Sequence, residues 1–276
     1  LVWFGKPKQV IPYKIDKHKV SNKNTQLINI LDIPNPKEYQ RSIKKIKHYL
    51  KKGDSYQINF TQPKKYETNL KSFDLYMAMR SNILPHYGFY LNTGIFQILS
   101  FSPERFFKTK NNIIDSFPMK GTRPRSLNSI KDISLAKELS NSIKDKAEHL
   151  MIVDLIRNDL GKICNYGSVK VKDLYKIKSF ETVHQMESNI NGVLKDQMNE
   201  MKIIKALFPG GSITGAPKEE SMKIIDSIEN YNRGIYTGAI GYIDSIGNMD
   251  FNIGIRTMII NNSIATYPVG GGIVWD

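Results

Sequence analysis

The stretch GFYLNTGIFQILSFSPERFFKTKNNIIDSF, from Gly88 to Phe117, reads as four strands in succession: Gly88–Leu91, Phe96–Phe101, Arg105–Lys108 and Ile113–Phe117. No helix separates them, so antiparallel pairing is the expectation rather than crossover units. The far end of the chain is again β, with Tyr236–Ser245, Asn248–Ile260, Ile264–Tyr267 and Gly271–Trp275. Helices are predicted elsewhere. The first has Asn35 as N-cap, Pro36 at the first helical position, Ile43, Ile46 and Leu50 on one face, and Gly53 as its stop. Tyr56–Phe60 follows as a strand alternating between two faces, and Ser72–Leu84 as a helix ended by Pro85. Ile130–Asn158 is helical with a break near Lys144, and Ser168–Leu174 and Val183–Leu194 are strands. Glu200–Phe208 and Lys218–Ile228 are helices, while the first 35 residues, with Pro7, Pro12 and Pro34, read as irregular. Strand runs between helices, without regular βαβ alternation, give an α+β class. No repeat or composition shift divides the sequence, so residues 1–276 are read as a single domain.

Composition narrows the functional classes. Of the 276 residues, 40% are hydrophobic and 10% aromatic, which excludes a disordered chain. Lys and Arg number 40 against 26 Asp and Glu, a net charge of +14. That charge admits a nucleic-acid partner or an anionic substrate. The basic residues are dispersed, apart from a moderate cluster between Lys37 and Lys65, and neither zinc-finger spacing nor an RNP-like motif accompanies them. A basic nucleic-acid-binding protein is therefore the remote alternative. Cys164 is the one cysteine, so an internal disulfide and a Cys-based zinc site are both excluded. No apolar run approaches the roughly 18 residues of a membrane span, and no long apolar segment marks a secretory leader. A reduced, soluble, cytoplasmic protein without membrane or nucleic-acid partners is expected. The sequence opens on Leu1 rather than Met, which leaves room for preceding residues.

Three features are costly in isolation. The segment Gly210-Gly211-Ser212-Ile213-Thr214-Gly215-Ala216-Pro217-Lys218 runs into a helix. It reads either as an anion cradle of free N–H groups at a helix start or as a Gly-rich turn with a cap. It is no P-loop, because Ala216-Pro217 stand where Lys and Ser/Thr are required. Gly270-Gly271-Gly272, between short strands, marks either close approach of a ligand or a bulge. Glu148 shares a helix face with Met151, Ile152 and Leu155, so its carboxylate either snorkels at the stripe's edge or needs a cation, an Arg or a hard metal ion such as Mg²⁺. Glu104, after Ser102-Pro103, and Lys120, in Pro118-Met119-Lys120-Gly121, are further candidates; a desolvated lysine can lose its proton and become a nucleophile.

Read together, these segments resemble the chorismate-utilising enzymes, the family of the aminodeoxychorismate, anthranilate, isochorismate and salicylate synthases. The matching blocks are Gly53–Asn59, Ser102–Phe106, Pro118–Arg125, Lys146–Asn158, Pro209–Lys218 and Ile255–Gly272, in family order from about residue 37 onward. The family's large N-terminal part, with its tryptophan-binding element, is mostly absent from this sequence, and residues 1–35 read as its remnant. The resemblance implies an α/β sandwich of antiparallel sheets flanked by helices. It also implies that Arg256, Tyr236 and the backbone of Gly270, Gly271 and Gly272 hold one chorismate carboxylate. Ser212, Thr214, Gly215 and Ala216 match the backbone clamp, and Glu148 matches a ligand of the Mg²⁺ that holds the ring carboxylate. Lys120 places the chain in the aminodeoxychorismate branch, since anthranilate synthases look like Pro-Ile-Ala-Gly-Thr at this block. In the implied mechanism the Lys120 amine attacks C2 of chorismate while Glu104 protonates the departing C4 hydroxyl. Ammonia then adds at C4, expels the lysine and leaves 4-amino-4-deoxychorismate.

Gln57 stands where isochorismate and salicylate synthases resemble one another in having a lysine base, which disfavours water attack. Gln185 stands where anthranilate synthases typically have a His, with His184 one residue away on the opposite face of its strand. Ammonia is expected from a glutamine amidotransferase subunit. Anthranilate synthase component I is the alternative enzyme. The family's remaining Mg²⁺ ligands would lie beyond Asp276, so a polypeptide ending there is expected to lack Mg²⁺-dependent turnover.

Overall fold

A computed structural model describes residues 4–12 and 29–275; the rest of the irregular N-terminal stretch and Asp276 lie outside the described residues. In chain order the elements begin with β1 (Asn29–Asp32), α1 (Pro36–Lys52), β2 (Gln57–Glu67) and α2 (Ser72–Ile83). A run of five strands follows: β3 (Tyr87–Asn92), β4 (Gln97–Ser102), β5 (Arg105–Lys110), β6 (Ile113–Ser116) and β7 (Met119–Pro124). The middle of the chain forms α3 (Ser129–Asn141), α4 (Ile143–Ile163), β8 (Lys170–Ser179), β9 (Val183–Val193) and α5 (Glu200–Leu207). The remainder comprises β10 (Gly215–Ala216), α6 (Lys218–Ile228), β11 (Ala239–Ile243), β12 (Met249–Ile253), β13 (Thr257–Asn261) and β14 (Ile264–Val274). All strand pairs are antiparallel, and they form two seven-stranded sheets flanked by helices, as the α+β reading requires.

The first sheet runs β1-β2-β14-β13-β4-β3, with β10 on the free edge of β2; the second runs β11-β12-β5-β6-β9-β7, with β8 on β9. Of the chain's passages between sheets, two are short corners. One lies between β4 and β5 and carries Glu104; the other lies between β12 and β13 and carries Arg256. The corners are hydrogen-bonded through Ile253 N–H to Glu104 O (3.1 Å) and Phe101 N–H to Arg256 O (3.0 Å). Two groups far apart in sequence are thereby fixed at the junction of the sheets.

Local chemistry explains the helices. The Asn35 side chain accepts from Lys37 N–H at 2.9 Å, and Gly53 takes φ 80° at the opposite end of α1, a conformation that glycine adopts without a Cβ penalty. Ile46 and Leu50 of α1 pack with Ile58, Phe60, Ile224, Ile225 and Ile228, joining α1 and α6 to β2. Burial of each such side chain stabilises the fold by about 1.5–3 kcal/mol. A larger core of α4 and α5 residues, including Val153, Leu160, Ile203 and Leu207, packs on Phe107, Ile114 and Ile190 of the second sheet. The helix break falls at Ser142, which closes α3 and caps α4 by accepting from Asp145 N–H at 3.2 Å. Among the described residues no helix is long and apolar enough to cross a membrane.

Several boundaries differ from the sequence reading. β1 forms inside the stretch read as irregular. β2 runs to Glu67, and its first five residues are all buried instead of alternating, because they are covered on both faces. The stretch Asn248–Ile260 is two strands, divided where the chain changes sheets. Ile264–Val274 is one strand, paired with β2 residue by residue with no bulge at the glycines. β7 was not anticipated; a bulge at Gly121, φ 71°, interrupts its pairing with β9 between Lys120 and Thr122.

Candidate active site

Lys120 reaches from β7 of the second sheet toward β2 of the first. Its Nζ donates to Gln57 Oε1 at 3.3 Å. Gly272 of β14 closes the same corner: a Cβ there would lie 3.0 Å from Gln57 Cδ and 3.3 Å from Lys120 Nζ. The absent side chain is what lets amine, amide and backbone meet. Gln57 is fully buried, and its Nε2 has no hydrogen-bond partner among the described residues. A buried donor left unpaired costs about 1–3 kcal/mol, so the amide is oriented toward something it can meet in the site. Burial lowers the Lys120 pKa, and the charges of Glu148 and then Glu104 oppose that shift. The amine thus lies among carboxylates yet is biased toward its neutral, nucleophilic form.

Glu104 is 7% exposed, and Ser212 Oγ donates to its Oε1 at 3.0 Å. Burial pushes its carboxyl up to about 7, against the opposing Ser212 hydrogen bond and Lys120 charge, with Glu187 adding to the rise. Near neutral pH it is therefore an acid with a proton to give. Ser212 is the one member of the Gly-rich segment whose side chain meets this acid.

The rest of that segment is held against β2. Asn59 N–H donates to Thr214 O at 2.7 Å and Tyr56 N–H to Ala216 O at 2.8 Å. Gly215 is indispensable, since a Cβ would lie 2.1 Å from Gln57 O. Gly270 meets the same limit on the other side of β2, where a Cβ would lie 2.4 Å from Phe60 O. Gly271 faces open space. The clamp and the three glycines thus flank β2 from opposite edges, with Gln57 between them.

Tyr236 is buried, with burial raising its phenol. Arg256 has φ 49° and an exposed side chain without an ion-pair partner among the described residues. It borders a cleft of about 450 Å³ with Gln185, Pro103, Thr182 and Phe180. Its charge also lowers the neighbouring Tyr267 phenol, against the rise caused by burial. The fold therefore gathers Lys120, Gln57, Gly272 and, electrostatically, Glu104 and Glu148; Arg256 stands at the second corner, its guanidinium without an ion-pair partner among the described residues.

Glu148 is half-buried on α4 and has no hydrogen-bond or ion-pair partner among the described residues, where no group of three or more His, Cys, Asp and Glu side chains is poised for a metal. A single hard oxygen donor fits Mg²⁺, which keeps several waters and shares its shell with a ligand's anionic oxygens.

Two neighbours carried no signal in the sequence. His149 is fully buried, with Nε2 2.7 Å from Ser188 Oγ, and burial followed by the Lys120 charge holds its pKa down at about 4. Glu187 is ion-paired to Lys178. His184 lies on the other face of β9 from Gln185, bonded to Ser179 and Asp132, as strand alternation requires.

Comparison with known proteins gives a consistent family. The model of the chorismate binding enzyme family matches residues 7–276. Aminodeoxychorismate synthase component 1 of Escherichia coli is 40% identical over 239 residues, covering 87% of this chain and 53% of that protein. Anthranilate synthase component 1 of Saccharolobus solfataricus is 38% identical over 242 residues, covering 88% and 58%. The crystal structure of anthranilate synthase component I from Streptococcus pneumoniae superposes with a TM-score of 0.83 at 33% identity, covering 90% of this chain and 55% of that one. The chain spans about half the length of the curated relatives it matches.

Proposed function

Because the chain belongs to the chorismate binding enzyme family, we propose that it aminates chorismate at C4 as aminodeoxychorismate synthase component I, supplying p-aminobenzoate and folate synthesis. The observation that carries this reading is the half-buried Lys120 amine, its pKa lowered, electrostatically coupled to a Glu104 carboxyl held at about 7. The Lys120 lone pair forms a bond to C2, both ring double bonds shift by one position toward C4, and the C4–O bond breaks. The Glu104 proton leaves with the hydroxyl as water. Ammonia then bonds to C4, both double bonds shift back, and the C2–N bond breaks to return a neutral lysine. The surplus ammonium proton passes to the Glu104 carboxylate, which restores the acid.

Arg256, Tyr236 and the flanking backbone of Gly270–Gly272 and Thr214–Ala216 supply donors for carboxylate binding. Gln57 offers an amide in place of a base, so water at C2 gains no activation. Bound Mg²⁺, with Glu148 as one ligand, would neutralise and anchor the ring carboxylate. Ammonia is assigned to a glutamine amidotransferase partner. Cys164 is buried, and burial pushes its thiol up to about 11, which suits it to packing and not to thiolate chemistry.

The test mixes the full-length protein with chorismate, ammonium and Mg²⁺. The expected product yields p-aminobenzoate only after a separate lyase is added, and Lys120→Ala loses it. Fluorescent anthranilate without a lyase would instead establish the reading that the anthranilate synthase relatives favour, and full activity of Lys120→Ala would remove the lysine from the mechanism.

A further inference from the structure

Two arginines lie near the site, and their surroundings are opposite. Arg256 presents an exposed guanidinium with no ion-pair partner among the described residues. Arg233, in the connection between α6 and β11, has all five of its N–H groups occupied by the protein. Its Nε donates to Glu229 Oε2 at 2.8 Å, and Nη2 to Glu229 Oε1 at 2.7 Å and Asn59 O at 2.6 Å. Its Nη1 donates to Ile213 O at 2.9 Å and to Thr237 Oγ1 at 3.4 Å. A guanidinium has five donors in a fixed fork, so none remains for a substrate. Glu229 is equally engaged: its Oε1 also accepts from Thr61 N–H and Thr61 Oγ1, both at 2.8 Å. The pair is buried, with side chains 14% and 2% exposed.

The acceptors are what give this pair meaning. Ile213 precedes Thr214–Ala216. Asn59 donates its own N–H to Thr214 O, and in the β2–β14 register Asn59 and Thr61 face Gly272 and Gly270. Thr237 follows Tyr236, holds φ 61° and donates its hydroxyl to Tyr236 O at 2.6 Å. One ion pair therefore bonds to a neighbour of each group that the functional reading gives to a substrate carboxylate: Ile213 beside the Thr214–Ala216 segment, Asn59 and Thr61 opposite Gly272 and Gly270, and Thr237 beside Tyr236. Burying it is expensive unless every donor and acceptor is satisfied, and here Arg233 has a partner for each N–H.

We infer that Glu229 and Arg233 are positioning residues that set the geometry of the anion-holding backbone, and so govern affinity for a carboxylate substrate. This rests on the functional reading above for the substrate and for the anion-holding role of that backbone. Lysine cannot substitute for Arg233, because a single ammonium cannot span two carbonyls, a hydroxyl and both oxygens of Glu229.

Two measurements test it on the full-length protein. Hydrogen exchange of Arg233→Gln is expected to accelerate at least tenfold in residues 211–216 and 270–272, with residues 98–101 unchanged. In steady-state assays KM for chorismate rises at least tenfold while kcat stays within threefold, and Arg233→Lys restores neither readout. Unchanged exchange in both segments, or restoration by Arg233→Lys, would overturn the inference. Should Arg233→Gln fail to fold, Thr61→Val removes only the hydroxyl that reaches Glu229 and Tyr231; the same two segments are expected to loosen by a smaller factor, and no change there would equally overturn it. Unaltered protein that consumes no chorismate would defeat the functional reading and leave the exchange experiment to decide this one.

Discussion

At the residue scale, Glu104 and Lys120 oppose each other in what they require of pH. In the proposed reaction the lysine acts as its free amine, so rising pH favours it through its lowered pKa; the carboxyl acts as an acid, so its ionisation above about 7 opposes the reaction. A bell-shaped pH profile is expected. In Glu104→Gln the pH dependence set by ionisation near 7 disappears and kcat drops by on the order of 10²–10⁴. The same residue links pH to stability. The folded chain holds the Glu104 proton more tightly than the unfolded one, so its contribution is complete below the ordinary 4.5 and is lost as pH rises to about 7. Glu104→Gln is therefore expected to be more stable than the unaltered chain at pH 8, by up to roughly 3 kcal/mol, with little difference at pH 4. Thermal melts at the two pH values check this. Both residues were marked in the sequence by their blocks, whereas Arg233 and Glu229 were not. Their spacing of four is that of any helical surface pair, and only the structure shows that the carbonyls they meet, of Ile213 and Asn59, adjoin the Thr214–Ala216 segment.

At the element scale, glycines decide the site's shape. Gly272→Ala would push a methyl against the Gln57 amide and the Lys120 amine, 3.0 to 3.3 Å away, without meeting backbone. Its expected effect is a kcat loss of at least tenfold with a melting temperature lowered by only a few degrees. Gly121→Ala acts through the bulge. With φ 71° and a Cβ 2.8 Å from Leu139 Cδ1, it would strain β7 and re-aim Lys120, so both activity and stability are expected to fall. Comparing melts with single-turnover rates separates the two cases. These elements were also the hardest to read in advance. α1 was legible because Asn35, Pro36 and Gly53 punctuate it and Ile43, Ile46 and Leu50 keep a helical period. β7 was hidden because Pro118 and Gly121 look like turn residues, and β14 was split because three glycines supply no side-chain alternation.

At the scale of the whole molecule, β2 is the axis on which the site is built, and its long partner β14 is remote in sequence: Asn59 faces Gly272. Deleting residues 264–276 would leave β2 and β13 with open edges, and the expected result is loss of cooperative unfolding along with aggregation, read by calorimetry and light scattering. A core change away from the site behaves differently. Leu160→Ala opens a cavity between α4 and the second sheet, with an expected cost of about 2–5 kcal/mol in denaturant titrations and an unchanged pH profile. The antiparallel runs made the α+β class legible, but the interleaving of the sheets was not, because nothing local marks which distant strand completes an edge. That interleaving bears on synthesis. Ribosomes deliver Gly272 roughly 10–40 s after Asn59, and until then β2 lacks the neighbour that closes in on Gln57 and Lys120. A nascent chain therefore passes that interval with the candidate site unassembled, and whatever shields the bare edge of β2 during it governs how much correctly folded protein emerges.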